Sequence, residues 1–520
     1  MDFSSFMRKC GLKLYYPIFV GLYMYFYNFH MVEDVSHLSH VPQYKWYQKI
    51  WLWTFRVSGL LLLVPSLKFA ATYLFARFPE VESPGSRFLE TNKSRNSDTP
   101  KIAEVNECNG HWSRESAQGN GDGQRNHYSP SNHLVCLIIR IITRGDYPQL
   151  IKRNVAFHID LVERHCHCDR LEVHVVTEKP LHGDYPLGRS GRVREFVVPS
   201  DYRPKEGTLA KARNMAYWVE ASSKDEQYPP HDQTWILTLD EDSFITDSFM
   251  KDFLRSFLPS GAHCSVSPSL IELPPTASIL GVFEESFFVT LYAMETWFEG
   301  AFVKEIPIWF RGAAYVIRRD VDREIGHAYL PELSITEDHV FAHYFADSPY
   351  KIGYINGWNW EGGAPDLMGL IKQRGRWFRG KLYAFFYQKM SAGRRLRAAV
   401  RLILAYLVHC PCMAWAVIFT LFLVSGNLEL IAPGGVRSWP LDFIAPFSFG
   451  TYFYATVFGL WHTNLSAKQA AICTLASTLW LGTIATLGVH LSSRIWALVT
   501  LADDLYSRRR RYEVTEKKEK

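Results

Sequence analysis

Short apolar runs rich in β-branched residues alternate with helical stretches through the middle of the chain, and this alternation limits the fold more than any other feature. The first run, His133–Thr143 (HLVCLIIRIIT), is almost continuously apolar, as expected for a strand buried on both faces of a sheet. The further predicted strands are Leu171–Thr177, Arg194–Val198 and Trp235–Leu239, and the predicted helices are Pro148–His165 and Thr208–Ala221. Such an order predicts an α/β domain with a largely parallel sheet.

The last of these predicted strands runs into three successive carboxylates, Asp240, Glu241 and Asp242, in the stretch WILTLDEDS. If the extended conformation persists, Asp240 and Asp242 share a face and repel each other, so a positive partner is expected between them. Mg²⁺ or Mn²⁺ suits oxygen ligands of this kind, and open α/β sheets bind ligands at the carboxyl ends of their strands. A polar turn that caps a helix at Ser243 would give the same pattern, and these residues alone fit both interpretations.

Three further polar patches occur at positions where ligands are commonly bound. Glu178 directly follows the second strand, and Thr336-Glu337-Asp338 opens a helical stretch for which Thr336 is a plausible cap. The third patch is Gln373-Arg374-Gly375-Arg376-Trp377, shortly before a long apolar segment. Taken singly, the second patch is typical of a helix start, and the third is typical of a basic stretch that faces lipid phosphates.

In this order, the patches resemble the motifs of the inverting glycosyltransferases of family 2, in which a DxD-type motif, a TED and a Q-x-x-R-W recur before membrane helices. The resemblance extends from His133 to Trp377. It implies an A-type glycosyltransferase domain, a mostly parallel sheet with flanking helices, between N- and C-terminal transmembrane helices. The stretches PSDYRPKEGTLAKARNMAYW, ITEDHVFAHYFA and GWNWEGGAPDLMGLIKQRGRWFRG are most similar to the Egghead-type β-1,4-mannosyltransferases of animal glycosphingolipid synthesis.

The resemblance implies a sugar-nucleotide donor site. Asp240 and Asp242 would hold a divalent cation, Mg²⁺ or Mn²⁺, which stabilises the charge that develops on the leaving diphosphate. Asp240 would also approach the donor's ribose or sugar, and Glu178, where family members carry Asp, its base or ribose. Lys211 and Arg213 in KARN follow a flexible turn and are expected to lie near the diphosphate, although an amphipathic helix with a solvated basic face would show the same pattern.

On the acceptor side, Asp338 is the candidate general base, and Glu337 would position that base or bind hydroxyls of the acceptor. Of the Q-x-x-R-W residues Gln373, Arg376 and Trp377, the arginine would hold the diphosphate and the tryptophan ring would stack on a sugar. A single catalytic base fits one in-line displacement, which inverts the anomeric centre.

The implied reaction is transfer of mannose from GDP-mannose to glucosylceramide in a β-1,4 linkage, and both substrates come from the resemblance alone. A polysaccharide synthase that uses a UDP-sugar, as cellulose or hyaluronan synthases do, is an alternative. A transporter or non-catalytic membrane scaffold is another. The net charge of +5 over 520 residues is too small to indicate nucleic-acid binding.

Long apolar segments cluster at both ends of the chain. They are Leu12–Phe29, Ile50–Ala76, Ala398–Val424, Leu441–Trp461 and Ala470–Val489. Crossing a bilayer requires roughly 20 largely apolar residues, so these segments are predicted to be membrane spans, with buried core helices as the alternative.

The predicted organisation has five parts. Residues 1–79 form a membrane anchor with two spans, residues 80–132 a polar linker, residues 133–390 a cytosolic glycosyltransferase domain, residues 391–506 a C-terminal membrane region, and residues 507–520 a basic cytosolic tail. Within the linker, Glu90–Asn132 is rich in Asn, Ser, Gly and charges, so disorder is expected, although an ordered insertion is the alternative.

Basic residues next to the C-terminal apolar segments bear on orientation and location. Arg394, Arg395 and Arg397 precede these segments and Arg508–Arg511 follow them, which favours the cytosolic side. The final KKEK is similar to a dilysine signal of ER and early Golgi proteins, although a solubilising tail has the same composition. Three spans would leave this tail on the far side, so either one segment lies in the interface or a fourth short span runs through Leu491–Leu501.

Two weaker motifs are not assigned to function. His165-Cys166-His167-Cys168 lacks the second half of a zinc site, and nine irregularly spaced cysteines do not indicate a disulfide framework. The sequon Asn464-Leu465-Ser466 follows a predicted span so closely that we expect it not to be glycosylated.

Overall fold

The structure is a computed structural model that describes residues 136–165, 168–181, 191–223, 231–307, 310–330, 333–407, 454–478 and 481–507, with scattered positions between 17 and 78 and at 447 and 451. Most of the predicted spans Leu12–Phe29, Ile50–Ala76, Ala398–Val424 and Leu441–Trp461 lie outside these residues. The polar linker, Cys166, His167 and the basic tail from residue 508 lie outside them entirely.

A seven-stranded sheet forms the centre of the molecule, in the order β3-β2-β1-β4-β8-β6-β9. Its strands are β1 Cys136–Ile142, β2 Arg170–Thr177, β3 Gly191–Val197, β4 Thr234–Asp240, β6 Cys264–Val266, β8 Ala314–Arg318 and β9 Ile352–Tyr354. The pairs β1–β2, β2–β3, β1–β4 and β6–β9 are parallel, whereas β8 is antiparallel to β4 and β6. The predicted α/β fold with a largely parallel sheet is therefore confirmed.

The order in which successive strands are added to the sheet reverses at β1. From β1 the chain adds β2 and β3 on one side, then returns to add β4 on the other side. The register pairs Ile142 with Asp240, so the ends of β1 and β4 lie side by side. In open α/β sheets, a reversal of this kind opens a crevice at the carboxyl ends of the strands, where ligands bind.

The helices surround this sheet and extend beyond it. They are α1 Pro148–His165, α2 Ala210–Ser223, α3 Asp247–Asp252, α4 Ile279–Glu295, α5 Arg319–Ile325, α6 Glu337–Ala346, α7 Leu367–Tyr387, α8 Ala392–Leu407, α9 Ala467–Thr478 and α10 Leu481–Ser507. A 3₁₀ turn, Leu333–Thr336, leads directly into α6, and a π-helical segment, Thr296–Val303, extends α4.

A three-stranded sheet lies beside the main one, in the order β5-β10-β7. Its strands are β5 Phe244–Ile245, β7 Ser269–Glu272 and β10 Asn359–Gly362. Because β5 follows Asp242 almost immediately and pairs with β10, this sheet brings Glu361 and Gly362 next to the carboxylates after β4. We refer to it as the small sheet.

Apolar side chains cover both faces of the main sheet, as the continuous run in β1 predicted. Leu137 and Ile139 pack in one cluster with Ile151 and Val155 of α1, which recur at helical spacing. Ile138 lies in the cluster on the opposite face.

A buried charge network crosses the second face of the main sheet. Arg140 of β1 is fully buried and donates two hydrogen bonds to Asp322 of α5, at 2.7 and 2.9 Å. Its guanidinium also donates to Thr238 at 2.8 Å and lies 4.6 Å from the ring centre of Trp218. His327 lies 2.8 Å from the same carboxylate. This network ties the strand that carries the switch point to α5.

Among the described residues, no helix is both long and apolar enough to cross a bilayer. The predicted span Ala470–Val489 is divided between α9 and α10. Helix α10 packs along α7 and α4. Asn464 of the sequon accepts a hydrogen bond from the Leu273 amide at 2.8 Å and donates one to the Leu273 carbonyl at 3.0 Å, so its amide is engaged in packing.

Candidate active site

A cavity of about 970 Å³ opens at the carboxyl ends of β1 and β4. Its volume is in the range of sites that hold small-molecule ligands. The predicted site residues that line it are Glu178, Lys211, Asp240, Asp242, Glu337, Asp338, Gln373, Arg376 and Trp377. Of the predicted residues, Arg213 lies behind the wall, 3.8 Å from Glu178, and donates hydrogen bonds to the carbonyls of Pro199 and Tyr202. Residues from five separated parts of the sequence therefore surround one space.

The three carboxylates after β4 form a turn. The Ser243 amide donates to the Asp240 carbonyl at 3.0 Å, so the extended conformation ends at Asp240. Glu241 accepts a hydrogen bond from the hydroxyl of Thr143, at the end of β1. The alternative expectation of a helix cap at Ser243 is wrong, because α3 begins later and is capped by Thr246, whose hydroxyl accepts from the Phe249 amide at 3.3 Å.

Asp242 packs against the backbone of the small sheet. A Cβ atom placed on Gly362 would lie 2.3 Å from Oδ2 of Asp242, which is closer than real atoms approach. A side chain at this position would force the Asp242 carboxylate to move from its present place. The small sheet thus determines where Asp242 points.

Lys211, at the start of α2, is the positive partner that the carboxylates required. Its Nζ lies 2.6 Å from Oδ1 of Asp240 and 3.3 Å from Oε1 of Glu337, and it donates to the Gly312 carbonyl at 2.9 Å. Burial alone would lower the pKa of Lys211, but the attraction of Asp240 and Glu337 outweighs it and raises this pKa. The lysine remains charged and joins the carboxylates after β4 to those at the start of α6.

Glu337 and Asp338 stand at the first turn of α6 in different environments. Burial raises the pKa of Glu337 to about 7, against the opposing effect of Lys211. Asp338 accepts hydrogen bonds from the amide of His339 at 2.7 Å and from the amide of Gly312 at 3.3 Å. These two amides fix the direction of the Asp338 carboxylate, as a general base requires.

The expected hydroxyl cap at Thr336 is wrong. Thr336 occupies the N-cap position of α6, but its side chain makes no capping hydrogen bond. The helical turn already begins before it, at Leu333, so the chain needs no cap at this point. Instead the side chain packs against Gly380 of α7, where a Cβ atom would lie 2.5 Å from the Thr336 hydroxyl oxygen.

Helix α7 presents Gln373, Trp377 and Lys381 to the cavity at helical spacing. Arg311 completes this wall, since its guanidinium lies 3.9 Å from the ring centre of Tyr292 and 5.5 Å from that of Trp377. It also pairs with Glu361 at 3.1 Å, and burial raises the pKa of that glutamate.

The sequence analysis missed Arg311, Glu361, Lys381 and Thr143. Arg311 precedes the short strand β8 and Glu361 lies in the short strand β10, and strands this short show little periodicity. Lys381 lies on α7 beyond the Q-x-x-R-W motif. Two charged residues within the apolar run of α4, Glu284 and Glu285, were an available signal, because buried carboxylates need partners. That signal points to Arg374, which pairs with both.

The cavity contains carboxylate side chains, which are of the chemical type that binds a divalent cation. Asp240 and Asp242 line the same cavity and offer carboxylate oxygens, which Mg²⁺ and Mn²⁺ prefer. In the described part of the chain, no group of three or more His, Cys, Asp or Glu side chains is close enough to hold a metal ion.

Comparison of the sequence with known proteins shows which family it matches. The profile described as "Glycosyl transferase family group 2" matches residues 235–497, more than half of the chain. The β-1,4-mannosyltransferase egh of Drosophila melanogaster is 26% identical over 384 residues, 70% of this chain and 75% of that protein. The β-1,4-mannosyltransferase bre-3 of Caenorhabditis elegans is 27% identical over 333 residues, 63% of this chain and 67% of that protein.

Among solved structures, the mannosyltransferase PcManGT from Pyrobaculum calidifontis, in complex with GDP-Man and Mn²⁺, matches 85% of this chain and 99% of its own. The sequence identity is 10% and the TM-score is 0.40.

Proposed function

The chain belongs to glycosyl transferase family group 2, and we propose that it is an inverting, metal-dependent β-1,4-mannosyltransferase that moves mannose from GDP-mannose to glucosylceramide in glycosphingolipid biosynthesis. One observation carries the proposal: the carboxylates after β4, those opening α6 and the Q-x-x-R-W residues of α7 surround a single cavity at the switch point of the sheet. The mannosyl assignment is supported by relatives that carry the name β-1,4-mannosyltransferase.

The acceptor hydroxyl is a poor nucleophile until it loses its proton. In the proposed reaction, Asp338 takes that proton and the acceptor oxygen bonds to the anomeric carbon as the bond to the diphosphate breaks on the opposite face. The configuration inverts, and GDP leaves with the bonding electron pair. The Gly312 and His339 amides hold the Asp338 carboxylate in one orientation during this step.

The donor diphosphate gains negative charge as it leaves. Asp240 and Asp242 would hold a divalent cation, which supplies electrostatic stabilisation of that charge. Lys211, already between Asp240 and Glu337, and Arg376 in the cavity wall add positive charge from the protein. Glu337, 3.3 Å from Nζ of Lys211, helps to hold that lysine in place.

The proposed acceptor is a lipid, so the cavity has to work next to a bilayer. We propose a multi-pass protein of ER or Golgi membranes with its catalytic domain in the cytosol, where GDP-mannose is available. The apolar segments at both ends of the sequence and the basic residues at the start of α8 support this placement.

A donor panel tests the proposed function. Membranes that contain the full chain are incubated with glucosylceramide and labelled GDP-mannose, UDP-glucose or UDP-N-acetylglucosamine in separate reactions. We expect one sugar to be transferred, from GDP-mannose only. A polymer formed from a UDP-sugar would favour the polysaccharide synthase, and no transfer from any donor by the folded protein would favour a scaffold.

Substituting Gly362 with alanine is expected to raise the Mn²⁺ concentration needed for half-maximal activity by about 10- to 100-fold, as for other residues that position metal ligands. The added methyl group would occupy the space of the Asp242 carboxylate. Activity is measured over a titration of Mn²⁺ after treatment with EDTA. Gly393→Ala is the control, because a Cβ atom there meets nothing within 4 Å. An unchanged Mn²⁺ requirement would contradict the assignment of Asp242.

A further inference from the structure

One face of helix α7, its rear face, points away from the cavity, and its residues are not among those that the Q-x-x-R-W motif specifies. Gln373 and Trp377 line the cavity, whereas Gly375, between them in the sequence, faces α10. Arg374 lies in the cavity wall with only 2% of its side chain exposed, and its guanidinium is directed toward α4. The contacts of this rear face determine where the cavity face of α7 stands.

Arg374 joins α7 to α4 through one buried guanidinium. Nε donates to Glu284 at 3.2 Å and Nη2 to Glu285 at 2.5 Å, both on α4, where the two carboxylates are 0% and 4% exposed. Nη1 donates to Oε1 of Gln373 at 3.2 Å, and the guanidinium lies 4.4 Å from the ring centre of Trp377. A fork of this geometry is specific to arginine. It holds two of the Q-x-x-R-W side chains from behind.

Helix α10 closes the same cluster from the other side. His490 lies with Nε2 3.1 Å from Oε2 of Glu284. A Cβ atom on Gly375 would lie 2.3 Å from Cε3 of Trp496 and 3.0 Å from the Ser493 carbonyl oxygen. The indole of Trp496 therefore rests directly on the backbone of α7, and only glycine permits this approach.

The contact continues to the candidate base. Five residues after Gly375, Gly380 brings α7 against Thr336, two residues before Asp338. The order of contacts is thus Trp496 on Gly375, then Gly380 on Thr336. A shift of α7 away from α10 would press on the segment that carries Asp338.

We propose that α10 is a positioning element of the active site: Trp496 packs on α7 and His490 packs on Glu284 of α4, the partner of Arg374, so that Gln373 and Trp377 keep their places in the wall of the cavity that Asp338 also lines. Arg374 and Gly375 are the positioning residues through which it acts. This inference rests on the proposed function for its rate effects. The family match, which ends at residue 497 within α10, is consistent with α10 as part of the catalytic unit.

The test is a paired substitution. Gly375→Ala is expected to lower kcat by about 10²-fold, the effect of misplacing catalytic groups by 1 Å. Trp496→Leu removes the ring atoms that the new methyl group meets, so Gly375→Ala/Trp496→Leu should recover at least tenfold of the loss. Full recovery is not expected, since the Ser493 carbonyl contact remains. The control is Gly488→Ala on α10, the helix that carries Trp496, because a Cβ atom at Gly488 meets nothing within 4 Å.

Arg374→Lys provides a second arm, because it keeps the charge and loses the fork. We expect kcat to fall while the KM for the donor changes by less than about threefold, the pattern of lost transition-state placement. An equal rise in donor KM would show that Arg374 contacts the donor, and it would overturn the positioning role.

Amide hydrogen exchange separates this inference from the proposed function, since it requires no sugar transfer. Gly375→Ala should speed exchange in residues 370–381 and 333–338, Gly375→Ala/Trp496→Leu should restore it, and Gly488→Ala should leave it unchanged. If the wild type transferred no mannose but exchange followed this pattern, the proposed function would fail and the positioning role would stand. If Gly375→Ala behaved as Gly488→Ala does, or if the double variant gave no recovery, the positioning role would be overturned.

Discussion

Replacing Asp338 with asparagine is expected to lower kcat for sugar transfer by about 10²- to 10⁴-fold, the usual contribution of a general base. Asparagine has nearly the same shape and can still accept a hydrogen bond from the Gly312 or His339 amide. It cannot take the proton of the acceptor hydroxyl. The measurement is initial-rate kinetics with the purified full chain, together with the affinity for GDP, which should stay within about threefold because ground-state binding is not removed.

The matched control is Asp160→Asn, which changes an exposed carboxylate on α1 that pairs with Arg164 of the same helix at 3.1 Å. It should leave kcat unchanged. An Asp338→Asn variant that keeps more than a tenth of the wild-type kcat would rule out Asp338 as the base. The neighbouring Glu337, whose pKa burial raises to about 7, would then become the candidate.

Replacing Asp322 with alanine is expected to lower the free energy of unfolding by about 3–5 kcal/mol, the cost of leaving a buried charge without its partner. Arg140 would lose both of its bonds to the carboxylate, in the middle of the main sheet. Burial alone would raise the pKa of Asp322, but Arg140 and His327 hold it below its usual range. Its contribution to stability is therefore fully present above the pKa of the unfolded carboxyl, and it is lost progressively as the pH falls from there through the lower pKa of the folded protein.

The measurement is denaturant unfolding of the variant beside Asp320→Ala on the same helix. Asp320 pairs with Arg318 at 2.6 Å, and both side chains are partly exposed, so its loss should cost only about 0–1 kcal/mol. Equal effects of the two substitutions would contradict the importance given to the buried network. Since a loss of several kcal/mol is a large fraction of typical stability, the Asp322 variant is also expected to accumulate poorly.

The elements with strong periodicity were predictable from the sequence. Helix α1 runs from Pro148 to His165 as predicted, because Ile151, Val155 and Ile159 recur on one face and proline favours the first turn. The strands β1 and β4 were equally clear, since they are apolar on both faces. The strands of the small sheet are two to four residues long, too short to show a period, so neither they nor the antiparallel β8 were predicted.

The position of the site was predictable for a physical reason. Parallel strands of one sheet end at the same edge, so Glu178 after β2 and Asp240 at the end of β4, on either side of β1, were expected to line one site, as they do. The role of Lys211 was only partly foreseen: it was expected near a diphosphate, and it lies between Asp240 and Glu337. The Arg311–Glu361 pair joins the segment before β8 to the small sheet, and no local pattern specifies such a contact.

Two glycines of α7 also make contacts that no local sequence pattern specifies. Gly375 and Gly380 lie within α7, where glycine is ordinarily unfavourable, and the sequence analysis gave neither of them a packing role. In the structure each marks a close approach, to Trp496 and to Thr336. A glycine within a helix that also carries a motif is thus a usable signal for a packing partner, but which distant residue is that partner is set by the tertiary fold.

The most direct test of the central claim is the structure of the product made from GDP-mannose and glucosylceramide by the full chain, determined by NMR of the purified glycolipid. The account predicts a single mannose in β-1,4 linkage to glucose, formed by the wild type and by Asp160→Asn but not by Asp338→Asn. An α-linked mannose, or equal product from the Asp338→Asn variant, would contradict an inverting displacement with Asp338 as its base.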